Sequence, residues 1–212
     1  MVLGKVCLIF ILSYLLGSVS FGIIITKIKK GIDIRNFGSG NTGFTNVLRV
    51  VGKGPAAIVL LGDALKGSLG VALGYYLGGA SYSYAVLGGL VTMVGHTYPV
   101  YFRFKGGKGV ATGLGVIIAL APDVTLIALI IFIITVYFSH YVSLGSILAA
   151  LSVPFLLYFL EKPFPVFLFG VLGATFVIYN HKTNIVRLYH GQENKIGKKR
   201  EGENMDKRGE NQ

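Results

Sequence analysis

Apolar runs dominate this chain, and they are too long and too numerous for a soluble core. Residues 2–25, 55–78, 82–94, 110–139, 142–160 and 164–179 are apolar and are separated by short polar segments. About 20 apolar residues in a helix match the hydrocarbon thickness of a bilayer, and a helix satisfies its own backbone polar groups there. With 53% hydrophobic and 14% charged residues among 212, an all-α membrane protein is expected. Residues 2–25 lack a convincing small-residue cleavage site and are read as a retained helix. Residues 110–139 in one helix would span about 45 Å, more than the hydrocarbon core. Pro122-Asp123 supplies a turn, so two helices are expected there and seven transmembrane helices in all. Pro154 is a candidate kink.

Three polar segments interrupt the apolar pattern. The first, residues 38–49, reads GSGNTGFTNVLR. Its glycines permit tight turns that aim several N–H groups at one point. Ser39, Asn41, Thr42, Thr45 and Asn46 add donors, and Arg49 adds a fixed charge with fork geometry. This inventory suits a phosphate or another anion, whereas an ordinary connecting turn needs one or two such residues. Gly38, Gly40 and Gly43 also satisfy G-x-G-x-x-G, with Asp63 downstream. That dinucleotide pattern requires a strand before it and a soluble βαβ unit around it, and Asp63 lies in an apolar run.

The second segment, residues 95–109, reads GHTYPVYFRFKGGKG. Pro99 argues against a helix continuing through it. Gly106, Gly107 and Gly109 surround Lys108 just before an apolar helix, which offers free N–H groups and a positive dipole end to an anion. It is not a phosphate-binding loop of the Walker type, because no glycine lies five before Gly107 and Gly109 replaces the hydroxyl residue after the lysine. A membrane-surface loop with basic anchors is the plainer alternative. The third segment, residues 181–193, reads HKTNIVRLYHGQE. On a helix His181, Asn184, Arg187 and Leu188 share one face, and an interfacial amphipathic helix is the plainer alternative.

Charge sets the expected orientation. The formal net charge is +11. In a membrane protein such basicity marks cytoplasmic loops and tails more often than nucleic-acid binding. Two expected spans separate the first polar segment from the second, and four separate the second from the third, so all three lie on one side. Of the 20 Lys and Arg, all but Lys5, Lys66 and Lys162 fall on that side. It is therefore read as cytoplasmic, with the N-terminus outside and the C-terminus inside. Residues 1–196 form the membrane domain, and residues 197–212 a basic, disordered tail. Asp63 and Lys66 share a face inside a span, as an internal ion pair or as part of a site. The lone Cys7 excludes an intrachain disulfide and reads as a small apolar residue.

Together the three segments resemble the signature stretches of the bacterial acyl-phosphate:glycerol-3-phosphate acyltransferases, in order and on the expected loops. The match covers nearly the whole chain to Glu193. His140 stands where arginine would be expected before YVSLGS, and the tail is longer than the family needs. The resemblance implies a seven-helix, multi-pass enzyme of the bacterial inner membrane with a cytoplasmic site. It implies the first acylation of phospholipid synthesis, which gives 1-acylglycerol 3-phosphate and phosphate. Its implied partners are glycerol 3-phosphate, acyl phosphate, membrane lipid and the enzyme that makes acyl phosphate. Nucleic acid, metal and cofactor are not expected. Ser39, His181 and Asn184 fall where catalytic residues are expected. Gly40, Asn41, Thr45, Arg49, Lys105, Gly106, Gly107, Lys108 and Arg187 are the expected phosphate-binding set.

The residues agree with that chemistry. Both substrates carry phosphate and one carries an acyl chain, so the site must bind two anions beside lipid. An acyl phosphate is already activated, and the enzyme needs mainly to align a hydroxyl and steady an oxyanion. The H-x-x-x-x-D pattern of many other glycerolipid acyltransferases is absent after His96, His140, His181 and His190. His181 is the best side-chain base, and a substrate phosphate is the alternative. A small-anion transporter for phosphate esters is the rival reading, with Asp63 and Lys66 in its favour. Against it, the polar residues gather at one face and no internal repeat is evident.

Overall fold

The computed structural model describes residues 2–196, and every apolar run is helical. In chain order the helices are α1 (Val2–Gly17), α2 (Phe21–Lys30), α3 (Phe44–Val50), α4 (Lys53–Leu77), α5 (Tyr82–Thr97), α6 (Val110–Leu120), α7 (Pro122–Ser139), α8 (Val142–Phe159), α9 (Phe164–Asn180) and α10 (Lys182–Tyr189). The tail expected at 197–212 lies outside the described residues. The protein is an all-helical integral membrane protein. Among the described residues four stretches are long and apolar enough to cross a bilayer: residues 2–30, α4, α7 and α8. A fifth is α9 taken together with α10, bent by 60° at His181. At 16 and 11 residues, α5 and α6 are shorter than a hydrocarbon core about 30 Å thick requires.

The expected division of residues 110–139 is present. The helix stops at Ala121, and Pro122 opens α7 at a position where its missing N–H costs nothing. Residues 2–25, expected as one helix, are instead broken between Gly17 and Phe21. Sequence hydropathy could not show this break, because its causes are tertiary. A Cβ on Gly17 would stand 2.2 Å from the Thr92 carbonyl, so α1 and α5 meet backbone to backbone there. Ser18 Oγ donates back to the Tyr14 carbonyl at 2.8 Å, and the Val19 carbonyl accepts Lys66 Nζ at 2.6 Å. After the break α2 continues to Lys30 and ends on Gly31 in the left-handed conformation (φ 68°).

Small residues let the central helix approach its neighbours. A Cβ on Gly115 of α6 would lie 1.7 Å from the Ala64 carbonyl of α4. Gly70 of α4 and Gly88 of α5 are similarly in direct contact. Close backbone approach of this kind replaces the hydrophobic drive that lipid does not supply. The larger apolar core, including Met93, Val116, Val124, Leu157, Phe169 and Val177, joins α5 and α6 to α7, α8 and α9. A smaller one, built on Ile23, Ile34, Val47, Ala56 and Val59, seats α2 and α3 against α4.

Candidate active site

The first polar segment is a loop wound around one buried side chain. Asn46, 1% exposed at the start of α3, accepts the Ser39 N–H at 2.9 Å and donates to the Phe37 and Asn41 carbonyls, each at 2.9 Å. Asn41 Oδ1 accepts the Gly43 N–H at 2.8 Å. Gly38 and Gly40 are left-handed (φ 61° and 72°), which the turn requires and other residues adopt at a cost. Asn46 is thus the hub of the loop rather than a ligand. Ser39, Asn41 and Thr45 are carried on its rim, and Arg49 projects from the last turn of α3.

The second segment folds back on α5. Gly106 and Gly107 donate their N–H groups to the Thr97 and His96 carbonyls, each at 3.1 Å. Those two amides therefore hold the loop to the helix instead of facing an open space. Lys108 follows, and its ammonium donates to the side-chain carbonyl of Asn184 on α10. Burial, with the nearby Arg187 charge acting in the same sense and Glu193 opposing, lowers the Lys108 pKa to about 8.

The third segment contributes the bend between α9 and α10. His181 sits at the bend, buried, with Nδ1 2.8 Å from the Val177 carbonyl. A carbonyl only accepts, so Nδ1 carries the proton and Nε2 is the acceptor. Burial lowers its pKa to about 4, the Val177 hydrogen bond works against that shift, and the Lys108 charge adds to it. The imidazole is neutral at ordinary pH. Glu193, unassigned in the sequence reading, is the organiser here. One carboxylate oxygen accepts Asn184 Nδ2 at 2.8 Å and Ser143 Oγ at 3.1 Å, and the other takes Arg187 Nε at 2.7 Å. The clue in the sequence was an acid placed inside an otherwise basic segment.

All three segments line one cavity of about 440 Å³. Ser39, Gly40, Asn41, Thr45, Arg49, Lys108, His181, Asn184 and Arg187 are in its wall, joined by Asp63, His96 and Glu193. Most of the rest of the wall is apolar, with Leu114, Ile117, Phe132, Ala150, Val153 and Phe169 from α6 to α9, interrupted by hydroxyls such as Thr125, Ser143 and Ser146. A cluster of cations and hydrogen-bonding groups thus adjoins a greasy trough. Lys105 and Gly106 line a separate, smaller cavity with Asp33, Arg35, Asn36, Gly40 and Arg103, and Gly107 is in neither wall. Arg35 ties the two loops together: it pairs with Asp33 at 2.6 Å and donates to the Phe102 carbonyl at 2.8 Å. Among the described residues no cluster of His, Cys, Asp or Glu could hold a metal ion.

Known proteins similar to this chain in sequence and fold point in one direction. The family model described as glycerol-3-phosphate acyltransferase matches residues 7–191. A glycerol-3-phosphate acyltransferase of Desulforamulus reducens is 47% identical over 194 residues, covering 91% of this chain and 96% of the relative. One from Fusobacterium nucleatum is 46% identical over 188 residues, covering 88% and 95%. Two crystal structures of PlsY, described as an integral membrane glycerol 3-phosphate acyltransferase, superpose with TM-scores of 0.85 and 0.83 at 40% and 39% identity. They are the glycerol 3-phosphate and lysophosphatidic acid forms; each match covers 91% of this chain, with 96% and 95% of the respective PlsY chains.

Proposed function

The chain belongs to the glycerol-3-phosphate acyltransferase family, and on that premise we propose that it transfers an acyl group from acyl phosphate to the 1-hydroxyl of glycerol 3-phosphate. The products are 1-acylglycerol 3-phosphate and inorganic phosphate. The observation that carries this reading is the composite cavity, whose cationic end suits two phosphates and whose apolar trough suits a fatty chain.

In the proposed mechanism Arg49, Lys108 and Arg187 gather the two phosphates, Arg49 by bidentate contact and Lys108 as a charge. Ser39 and Asn184 fix the glycerol moiety between them. His181 Nε2 accepts a hydrogen bond from the attacking hydroxyl and orients it. With a pKa near 4 the imidazole is a weak proton acceptor. A phosphate with a second pKa of about 6 is the stronger one. The hydroxyl oxygen therefore attacks the acyl carbonyl, the mixed-anhydride C–O bond breaks, and the departing phosphate takes the proton. The Lys108 ammonium steadies the oxyanion.

In the proposed orientation the N-terminus is outside and the site opens to the cytoplasm of a bacterial inner membrane. The Lys and Arg distribution supports it. All three polar segments also line one cavity, which supports their lying on a common side. The test of function is an assay with radiolabelled glycerol 3-phosphate and purified protein. Palmitoyl phosphate should give labelled lysophosphatidate without added metal. Comparable rates with palmitoyl-CoA would overturn the donor assignment, and label accumulating unchanged inside proteoliposomes would favour a transporter.

A further inference from the structure

The mechanism above leaves one group of buried ionisable side chains unused. Asp63 and Lys66 on α4 are 1% and 2% exposed, and His96 near the end of α5 is 4% exposed. Lys66 Nζ lies 2.9 Å from Asp63 Oδ1, and His96 Nδ1 lies 3.5 Å from the same oxygen. Lys66 also donates to the Val19 carbonyl in the break between α1 and α2. Charges buried among membrane helices are costly, and a cluster of them is poor evidence for simple stabilisation.

Its location supplies a use. The glycine loop rests on His96. The Gly107 N–H donates to the His96 carbonyl, and a Cβ added to Gly107 would stand 2.1 Å from His96 Nε2. The neighbouring Gly106 N–H is tied to Thr97, the next residue of the same helix. Only glycine lets the backbone lie this close to the ring. The residue immediately after this contact is Lys108, whose ammonium reaches Asn184 across the cavity. The loop is braced from a second side as well, because the Tyr14 hydroxyl donates to the Tyr98 carbonyl at 2.8 Å and Ser18 Oγ accepts the Val100 N–H at 3.3 Å.

We propose that Asp63, Lys66 and His96 are positioning residues for Lys108. The Asp63–Lys66 pair packs against the His96 ring, the ring backs Gly107 while the His96 and Thr97 carbonyls hold the Gly107 and Gly106 amides, and the loop so held keeps the Lys108 ammonium at the phosphate end of the cavity. A misplacement of about 1 Å at such a group can cost on the order of a hundredfold in rate. The inference rests on the proposed function only in that Lys108 meets the phosphate of glycerol 3-phosphate.

A double-mutant cycle tests it. Calorimetry on detergent-purified protein measures glycerol 3-phosphate binding for wild type, Asp63→Asn, Lys108→Ala and the double variant. This readout needs no turnover, so an error in the acyl donor leaves it intact. Asp63→Asn should weaken binding about tenfold or more, the size typical of removing a supporting group behind a ligand. In the Lys108→Ala background the same change should have almost no further effect. A cluster that only holds helices together would lower the melting temperature and weaken binding by the same factor in both backgrounds, and that result overturns the proposal. Should Asp63→Asn fail to purify as a folded protein, His96→Gln, which leaves the Asp63–Lys66 pair in place, takes its position in the cycle. Gly107→Ala supplies an independent arm: it leaves every charge untouched and should reproduce the binding loss.

Discussion

The Lys108 ammonium donates to the side-chain carbonyl of Asn184, a residue 76 positions away in the chain. The contact joins two walls of the cavity at its polar end. Asn184 in turn donates to Glu193, and Glu193 holds Arg187, so one buried carboxylate aligns residues from the second and third polar segments. A phosphate arriving here competes with a neutral carbonyl for the ammonium, an exchange that favours the anion.

That arrangement gives the reaction a pH dependence. Burial disfavours the charged form of Lys108, and its pKa falls to about 8. The lysine is cationic below that value and loses its charge as pH rises through it. The ratio kcat/KM for glycerol 3-phosphate, which reports the free enzyme, should therefore fall above pH 8. Bound phosphate favours the ammonium, so kcat alone should fall at higher pH. Lys108→Arg should remove the alkaline limb, because arginine does not titrate in this range. A limb unchanged in that variant assigns the titration elsewhere.

Arg49→Lys keeps the charge at the end of α3 but removes the planar fork. If Arg49 holds phosphate by two parallel hydrogen bonds, steady-state kinetics should show a loss of about tenfold or more in kcat/KM for glycerol 3-phosphate. The variant should be folded and inserted as wild type is, judged by matched gel-filtration profiles. Near-normal kinetics would leave Arg49 as a membrane-surface anchor.

Glu193→Gln nearly preserves shape while turning one acceptor oxygen into a donor. The amide must then face either Asn184 and Ser143 or Arg187, all of which donate to the carboxylate. The lost charge-assisted hydrogen bonds should cost about 2 kcal/mol of stability, read as a lower melting temperature. Activity should drop as well, since Asn184 and Arg187 lose the group that aims them. A variant with wild-type melting and turnover would show that the third segment orders itself without the carboxylate.

The proposed orientation predicts opposite labelling at two exposed sites. In a Cys7→Ser background, a cysteine at Asp123 should react with an impermeant maleimide added outside intact cells, and one at Lys195 should react only after the membrane is opened. The reverse pattern would invert the protein.

The apolar runs, the glycine-rich loops and the basic asymmetry are local properties, and they were readable in the sequence. Apolar length requires helices in lipid. Pro122 stops a helix by its missing N–H, and the chain does break at Ala121. Nine of the twelve nominated site residues line the main cavity; they were nominated because their types and clustering suit an anion. Glycines 106 and 107 show where that reasoning ran out. Glycine permits both an open N–H cradle and close packing, and only the position of His96 selects the second. The break after Gly17 depends on the Thr92 carbonyl of α5 and on Lys66 of α4, neither of which is near it in sequence. Glu193 likewise became an organiser only when α8 and α10 met around it. The sequence by itself determined which segments form apolar helices and which are polar, because hydropathy and turn chemistry act within a few residues. Tertiary structure decided which of those polar groups face the cavity and which hold it together, because that depends on contacts between segments as much as 84 residues apart.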